Sequence, residues 1–304
     1  MKRPLPHISD DLRALMVEVG KRWKVNRSAN INLMIERFTA LLTNMPVDGT
    51  KIQRDISYGP HPRQQFDIYT PDDDRKDRAA VLFVHGGAFM DGHRNRTERI
   101  YSNVSLYLAL NDIVGINIGY RVGGDVGYPG ASQDVASVVA WTHAHASELG
   151  VDRNRIFLMG HSAGAAHAGS YAYDKRLHPT EGPKLAGFIC VSGRVRADSR
   201  LENPNASKVI AYYGTSDQVR LNDVSPVSHI GPDSVATFVA WGEYENPLID
   251  VHCAELVFRL AQAKDRSPPV LLLPGHNHTS TIAHIGTSDE RLGQAILDFI
   301  ADPR

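Results

Sequence analysis

Cysteine is scarce in this chain: its 304 residues include only two, Cys190 and Cys253. Both lie in apolar segments, and neither belongs to a CxxC pair or to a Cys/His spacing that would suit a metal. We therefore expect two buried free thiols, with no disulfide framework and no structural zinc site. Free thiols are typical of a reducing compartment, so we expect a cytoplasmic protein.

Long hydrophobic runs and an excess of one charge are also missing. No stretch reaches the roughly 18 apolar residues of a membrane span, and no apolar segment follows the basic start Met1-Lys2-Arg3 as it would in a signal peptide. The formal net charge is -1, without a basic stripe that carries interleaved aromatic residues. We expect neither a membrane span nor a nucleic-acid partner, and the sequence leaves a homo-oligomer open.

The chain does contain ample material for a core, since 42% of its residues are hydrophobic and 22% are charged. Residues 9–25, with Ser9 as the N-cap, have apolar positions at helical spacing. A second amphipathic segment follows and ends near Asn44-Met45-Pro46. We interpret residues 1–50 as an N-terminal helical cap segment.

From residue 51 onward, short apolar runs alternate with helical segments, a pattern that predicts βα units and a mainly parallel sheet. The last helix is predicted to begin with a capping box formed by Thr287 and Glu290. Residues 51–304 are thus predicted to form one α/β domain. The predicted strands are 52–57, 65–69, 79–84, 112–119, 155–159, 185–191, 208–213, 235–241 and 269–273.

The segment Gly160-His161-Ser162-Ala163-Gly164 directly follows one of these apolar strands and precedes a run of small residues. A serine on a sharp strand-to-helix turn needs small neighbours on both sides, because the two backbones approach closely there. The context makes Ser162 the candidate nucleophile. The alternative is an ordinary glycine-rich loop with a surface serine.

A second glycine-rich segment, His85-Gly86-Gly87-Ala88-Phe89, follows the strand at 79–84. Glycines let backbone N–H groups approach the oxygen that becomes negative in a tetrahedral intermediate. We predict an oxyanion hole formed by Gly86, Gly87 and Ala88, with the N–H of Ala163 as a further donor.

The two segments together, HGGA(F) and GHSAG in this order, resemble the hormone-sensitive-lipase-like and feruloyl-esterase-like (BD-FAE) carboxylesterases, which are related to kynurenine formamidases. The resemblance spans roughly residues 50 to 302. Tyr120-Arg121 resembles the family's D-Y-R segment, although Gly119 stands where many members have Asp, and Asp134 resembles the acidic residue that follows. Ala88 stands where the lipase branch has a third glycine, which favours the feruloyl-esterase-like branch.

This resemblance implies an α/β-hydrolase fold in which the base follows the last core strand and the acid follows the strand before it. The loop after 269–273 offers His276 and His278, and its similarity to the family's G-x-N-H pattern selects His278 as the base. His276 is then a loop-shaping or pocket residue, and His85 shapes its own loop.

The acid is less well defined by the sequence. Family members show Gly-Glu-x-Asp-x-Pro in this loop, which places Glu245 on the acid position although it carries one methylene more than Asp. Glu243 and Asp217 are the alternatives.

These residues predict a serine hydrolase that cleaves a small-molecule carboxylic ester through an acyl-enzyme on Ser162, without a cofactor or a metal. An amidase or arylformamidase with the same residues is the first alternative, and a non-catalytic ligand-binding homologue is the second. The natural substrate stays open. We predict a substrate pocket walled by Phe89, His161, Met34, Ile35 and Phe38.

Overall fold

The computed structural model describes residues 4–304, so the basic start Met1-Lys2-Arg3 considered above lies outside the described residues. Two helices come first, α1 at Asp10–Lys21 and α2 at Arg27–Leu42. The predicted cap is confirmed, because the Ser9 side chain accepts a hydrogen bond from the Leu12 N–H at 3.2 Å.

Eight strands form a single sheet in the order β1-β2-β4-β3-β5-β6-β7-β8. The pairs β1·β2 and β2·β4 are antiparallel and every other pair is parallel, which confirms the predicted mainly parallel sheet. The strands are β1 Thr50–Ser57, β2 Gln65–Pro71, β3 Arg78–Val84, β4 Val114–Ile118, β5 Val151–His161, β6 Gly187–Val191, β7 Ala236–Tyr244 and β8 Val270–Asn277.

Nine further α-helices and two 3₁₀ turns, at Lys175–Leu177 and Pro226–His229, connect the strands within the described residues. None of the helices between residues 4 and 304 combines the length and the apolar character needed to cross a bilayer. The helices are α3 Ser102–Leu110, α4 Gly130–Ala144, α5 Ala146–Leu149, α6 Ala163–Tyr173, α7 Ala206–Tyr213, α8 Gln218–Asp223, α9 Ile249–Lys264, α10 Ser280–Ala283 and α11 Arg291–Ala301.

The core has two layers, one on each face of the sheet, because neighbouring side chains of a strand point to opposite faces. Leu82 and Val84 of β3 pack into the layer covered by α4, α6 and α9. Val81 and Phe83 pack into the layer covered by α1, α2, α3 and α11. This double cover explains why β3 is apolar at every position.

Two predicted elements are wrong. Residues 208–213 belong to helix α7 and not to a strand, since Val209 and Tyr212 are buried one turn apart and the left-handed Gly214 ends the helix. The last helix begins at Arg291 after Glu290, so Thr287 is not its cap; the Thr287 hydroxyl donates to the His284 carbonyl at 2.6 Å and accepts from the Asp289 N–H at 3.3 Å. In the first case burial of one helical face overrides the strand preference of the residues, and in the second a local hydrogen bond to the preceding turn replaces the cap.

Candidate active site

Ser162 lies on the turn that joins β5 to α6, with φ 57° and ψ -123°. A non-glycine residue held in such a backbone conformation costs on the order of 1–3 kcal/mol, and active sites are where this strain is commonly found. The turn is tight: a Cβ atom added to Gly164 would lie 2.2 Å from the carbonyl oxygen of Val84. Only glycine fits there, as the sequence predicts.

A hydrogen-bonded chain of three side chains begins at this turn. The Ser162 Oγ lies 3.0 Å from Nε2 of His278, and Nδ1 of the same imidazole lies 2.5 Å from Oε2 of Glu245. When Nδ1 carries the proton and donates to the carboxylate, the Nε2 lone pair is free to accept the serine hydroxyl proton. The residues that the sequence singled out from three separate loops therefore come into contact.

The Glu245 carboxylate is buried and receives two more hydrogen bonds on its other oxygen. Oε1 accepts from the Ser192 hydroxyl at 2.6 Å and from the Gly242 N–H at 2.9 Å. Ser192 follows β6 with φ 49°, and its hydroxyl also lies 3.1 Å from that of Thr281. These donors hold the carboxylate in place despite the longer side chain.

The other two candidate acids lie elsewhere. Glu243 is exposed, and its Oε2 accepts from the Gly275 N–H at 2.8 Å. Asp217 caps α8 by accepting from the Val219 N–H at 2.9 Å, and the segment before it is helix α7 where a strand was predicted. Neither carboxylate contacts His278.

The glycine-rich loop after β3 borders the same cavity as Ser162, and Gly86, Gly87 and Ala88 all line it. A Cβ atom on Gly87 would lie 1.8 Å from the Asp91 carbonyl oxygen, so only glycine fits this bend of the loop. Ala163 is the first residue of α6, and N–H groups in a first helical turn have no acceptor within the helix. The glycine-rich loop and the first turn of α6 therefore both adjoin the serine.

His85, the residue before these glycines, packs beneath the glycine-rich loop on its buried side. Its ring is fully buried, stacks on Tyr120 at 4.4 Å and places Nδ1 2.8 Å from the Gly86 carbonyl. Burial lowers the pKa of His85 to about 3, so the ring is neutral at physiological pH. This position suits the loop-shaping role that the family resemblance implies.

His161 precedes the serine and is also buried. Its Nε2 donates to the backbone carbonyl of His278 at 3.1 Å, and burial, together with the neighbouring His278, holds its pKa well below the usual range. The ring lines the cavity, as predicted. It also ties the turn that carries the serine to the loop that carries the imidazole.

The cavity above Ser162 has a volume of about 260 Å³, and α2 forms one of its walls through Ile31 and Ile35. Three predicted pocket residues do not line it. Met34 and Phe38 are fully buried because they point from α2 into the core, and Phe89 is fully buried because it stacks on Tyr212. The helical period turns adjacent residues of α2 to different sides, which an apolar composition alone does not reveal.

Sequence reasoning missed several residues beside the site. Ser192 lies at the carboxyl end of a parallel strand, the edge where functional residues collect, and that placement was its available signal. Arg96 and Tyr101 line the cavity from a segment without a recognisable motif. The Trp23 indole N–H donates to Oδ1 of Asn246 at 2.9 Å. These two segments are far apart in sequence, and no local pattern predicts the contact.

One cluster of side chains has the residue types of a metal site. His276, His284 and Asp289 are buried, with potential ligand atoms within 4.8 Å of one another. The Arg291 guanidinium, however, lies 2.7 Å from Oδ2 of Asp289 and 3.0 Å from Nε2 of His276, and Arg13 adds a second contact to the same carboxylate. The guanidinium groups of Arg291 and Arg13 already neutralise the Asp289 carboxylate, and we assign no metal to this cluster. The His276 ring contacts Asp289 and Arg291 and does not line the cavity.

The mainly parallel sheet, the strained serine after β5 and the late histidine define the fold as that of the α/β-hydrolases. Within this class the chain belongs to the BD-FAE family, whose model matches residues 66–281.

Similarity to solved structures supports the fold. Esterase B from Lactobacillus rhamnosis superposes with a TM-score of 0.72 at 18% identity, covering 96% of each chain. Among curated relatives, esterase LipC from Mycobacterium tuberculosis is 27% identical over 74% of this chain and 59% of its own length. A probable isoprenylcysteine alpha-carbonyl methylesterase, ICMEL2 from Arabidopsis thaliana, is 30% identical over 46% of this chain. The match covers only 32% of that plant protein.

Proposed function

We propose that this protein is a carboxylic ester hydrolase that works through an acyl-enzyme on Ser162. The observation that carries the proposal is the continuous hydrogen-bonded chain from Ser162 through His278 to Glu245 at the floor of an open cavity. Membership of an esterase family and the esterase relatives support it. Its substrate is a small-molecule ester, and no cofactor enters the reaction.

In the first half of the reaction the Ser162 Oγ attacks the ester carbonyl while its proton passes to Nε2 of His278. The Glu245 carboxylate keeps the proton of Nδ1 in place and stabilises the imidazolium that forms. The tetrahedral intermediate then collapses, and the proton on Nε2 leaves with the alcohol. The acyl group stays on Oγ.

In the second half a water molecule attacks the acyl carbonyl, with Nε2 of His278 again accepting the proton. The serine then leaves, takes that proton back, and the carboxylic acid departs. In both halves the carbonyl oxygen becomes an oxyanion. We assign its donors to the N–H groups of Ala163 and of Gly86, Gly87 and Ala88, and each is worth about 3 kcal/mol of transition-state stabilisation.

We assign residues 51–304 to the catalytic domain and residues 1–50 to a cap segment that shapes its cavity. Two contacts support this division of labour: Ile31 and Ile35 of α2 line the cavity, and Trp23 bonds to the loop that carries Glu245. We also assign a cytoplasmic location, supported by the two buried free thiols of Cys190 and Cys253.

The proposal is tested by replacing the nucleophile. Ser162→Ala is expected to abolish turnover of 4-nitrophenyl acetate and covalent labelling by a fluorophosphonate probe, because no other group takes the place of Oγ. Ser137→Ala, at an exposed serine of α4, is the matched control and keeps both activities. Turnover or labelling that survives in Ser162→Ala would contradict the mechanism.

A further inference from the structure

The cavity above Ser162 carries an excess of positive charge. Its lining includes three cationic side chains, Arg27, Arg96 and Lys208, and one carboxylate, Asp91. Lys208 and Asp91 neutralise each other, since Nζ lies 2.9 Å from Oδ2. No ion pair among residues 4–304 includes Arg27 or Arg96. Two positive charges therefore face the cavity without a counter-ion.

Arg96 lies at the end of the cavity that holds the reacting groups. Burial raises the pKa of the Tyr101 hydroxyl, and the nearby positive charge of Arg96 acts to lower it. The Tyr101 hydroxyl and the Cβ of Ser162 each lie 3.1 Å from the place that a Cβ atom on Gly86 would take. Hydroxyl and nucleophile thus flank the same glycine of the oxyanion loop.

The backbone of Tyr101 is strained, with φ 80°, and its N–H is held by Oδ1 of Asn103 at 3.0 Å. Strain of this kind is retained where the surroundings fix a side chain in a required position. Here the fixed side chain lines the same cavity as Arg96. Arg96 and Tyr101 form a pair of donors, one charged and one neutral.

Arg27 lines the cavity from the first turn of α2. It is followed on the same face of α2 by Ile31 and Ile35, and the helical rise separates Arg27 from Ile35 by about 12 Å. Ile100 and Ile282 line the same cavity, so it has apolar walls as well as charged side chains. A ligand seated on Ser162 therefore meets both apolar walls and positive charge.

We propose that the preferred substrates of this site are esters that carry a carboxylate, and that Arg96 together with the Tyr101 hydroxyl binds this carboxylate. The inference rests on the proposed function. A guanidinium and a carboxylate form paired, charge-assisted hydrogen bonds, and the tyrosine adds a donor beside them. The carboxylate belongs either to the acyl part or to the alcohol part of the ester, and the substrates below separate the two.

The test compares each anionic ester with a neutral ester of similar size. Mono-4-nitrophenyl adipate against 4-nitrophenyl heptanoate probes the acyl part, and 4-acetoxybenzoate against 4-acetoxybenzamide probes the alcohol part. We expect kcat/KM to favour the anionic member of one pair by about tenfold or more, as for a hydrogen bond to a charged group. In Arg96→Gln this preference disappears through a rise in KM, with kcat nearly unchanged.

Two further variants and a salt series sharpen the test. Arg37→Gln, at an exposed arginine of the same helix α2 that lies outside the cavity, keeps the full preference. Sodium chloride at 0.5 M reduces the preference of the wild type, because ions screen an accessible charge. A wild type without preference in either pair overturns the proposal, and so does loss of the preference in Arg27→Gln instead of Arg96→Gln.

Fluorophosphonate labelling of Ser162 separates this inference from the proposed function. The wild type is expected to be labelled by a neutral probe whether or not it prefers anionic esters, because labelling requires the nucleophile and its base and not the proposed subsite. Labelling with no preference for anionic esters refutes the carboxylate subsite alone. Absence of both labelling and ester turnover in the wild type refutes the esterase itself.

Discussion

The two sides of the candidate site are built in different ways. On the nucleophile side, five consecutive residues from Gly160 to Gly164 make the strand end, the turn and the start of the helix. On the acid side, Glu245 is held by Ser192, which is 53 residues away in sequence, and by the imidazole of His278, which is 33 residues away. The turn can be recognised from a short stretch of sequence, whereas the contacts that hold Glu245 in place become visible only in the fold.

The difference extends to the N-terminal helices, which contact the acid and base loops. Trp23 bonds to Asn246, the neighbour of Glu245, across 223 residues of sequence. Nδ2 of Asn277, the neighbour of His278, donates to the Met16 carbonyl at 3.4 Å across 261 residues. The acid side therefore depends on elements from both ends of the described chain.

The largest effect is expected for the acid itself. Glu245→Gln replaces the carboxylate with an amide whose NH₂ group favours the wrong imidazole tautomer, so kcat should fall by about three to four orders of magnitude. Steady-state kinetics with 4-nitrophenyl acetate measure it. Glu243→Gln and Asp217→Asn serve as controls and stay within about twofold, since neither residue touches His278. If Asp217→Asn were the variant that lost activity, the acid would have to be reassigned.

A smaller effect is expected for the serine that supports the acid. Ser192→Ala removes one of the two hydrogen bonds on Oε1 of Glu245 and keeps the Gly242 N–H. A hydrogen bond to a charged group is worth about 1.5–3 kcal/mol, so kcat should fall at least about tenfold with KM little changed. An unaltered kcat in a folded variant would show that the backbone donor alone holds the carboxylate.

The smallest effect on catalysis is expected at the N-terminal contact. Trp23→Phe keeps an aromatic ring in the core but removes the indole donor, which leaves Oδ1 of the buried Asn246 without its partner. The unfolding free energy should fall by about 1–3 kcal/mol and kcat only a few-fold. Urea denaturation and ester kinetics measure the two quantities. A stability equal to that of the wild type would mean that the acid loop does not depend on the N-terminal segment.

The sequence predicted the structure correctly where the local sterics or periodicity of the residues allow only one arrangement. The apolar strands, the turn at Ser162 and the mainly parallel sheet follow from short stretches whose sterics or periodicity allow few arrangements. Strand 208–213 fails because valine, isoleucine and tyrosine suit helices as well as strands when one helical face is buried. The predicted cap at Thr287 fails because the hydroxyl finds an acceptor in the preceding turn.

The remaining features were beyond sequence reasoning because they depend on contacts across the fold. The residues next to Ser192 and Trp23 in sequence do not indicate which groups these side chains bond to. The direction of Met34 into the core is set by how α2 lies against the sheet. The charge of the cavity likewise arises only because the fold brings Arg27 and Arg96 to the same cavity as Ser162.

The hydrogen bond between Trp23 and Asn246 cannot form during synthesis until the ribosome has also made Asn246. A ribosome adds about 5–20 residues per second, so about 10–45 s pass between the emergence of the indole and that of its partner. During that interval the apolar face of α1, with Met16 and Val19, has neither β8 nor the acid loop to pack against. The first helix of the described chain therefore completes its packing only after nearly all of the sheet has been made.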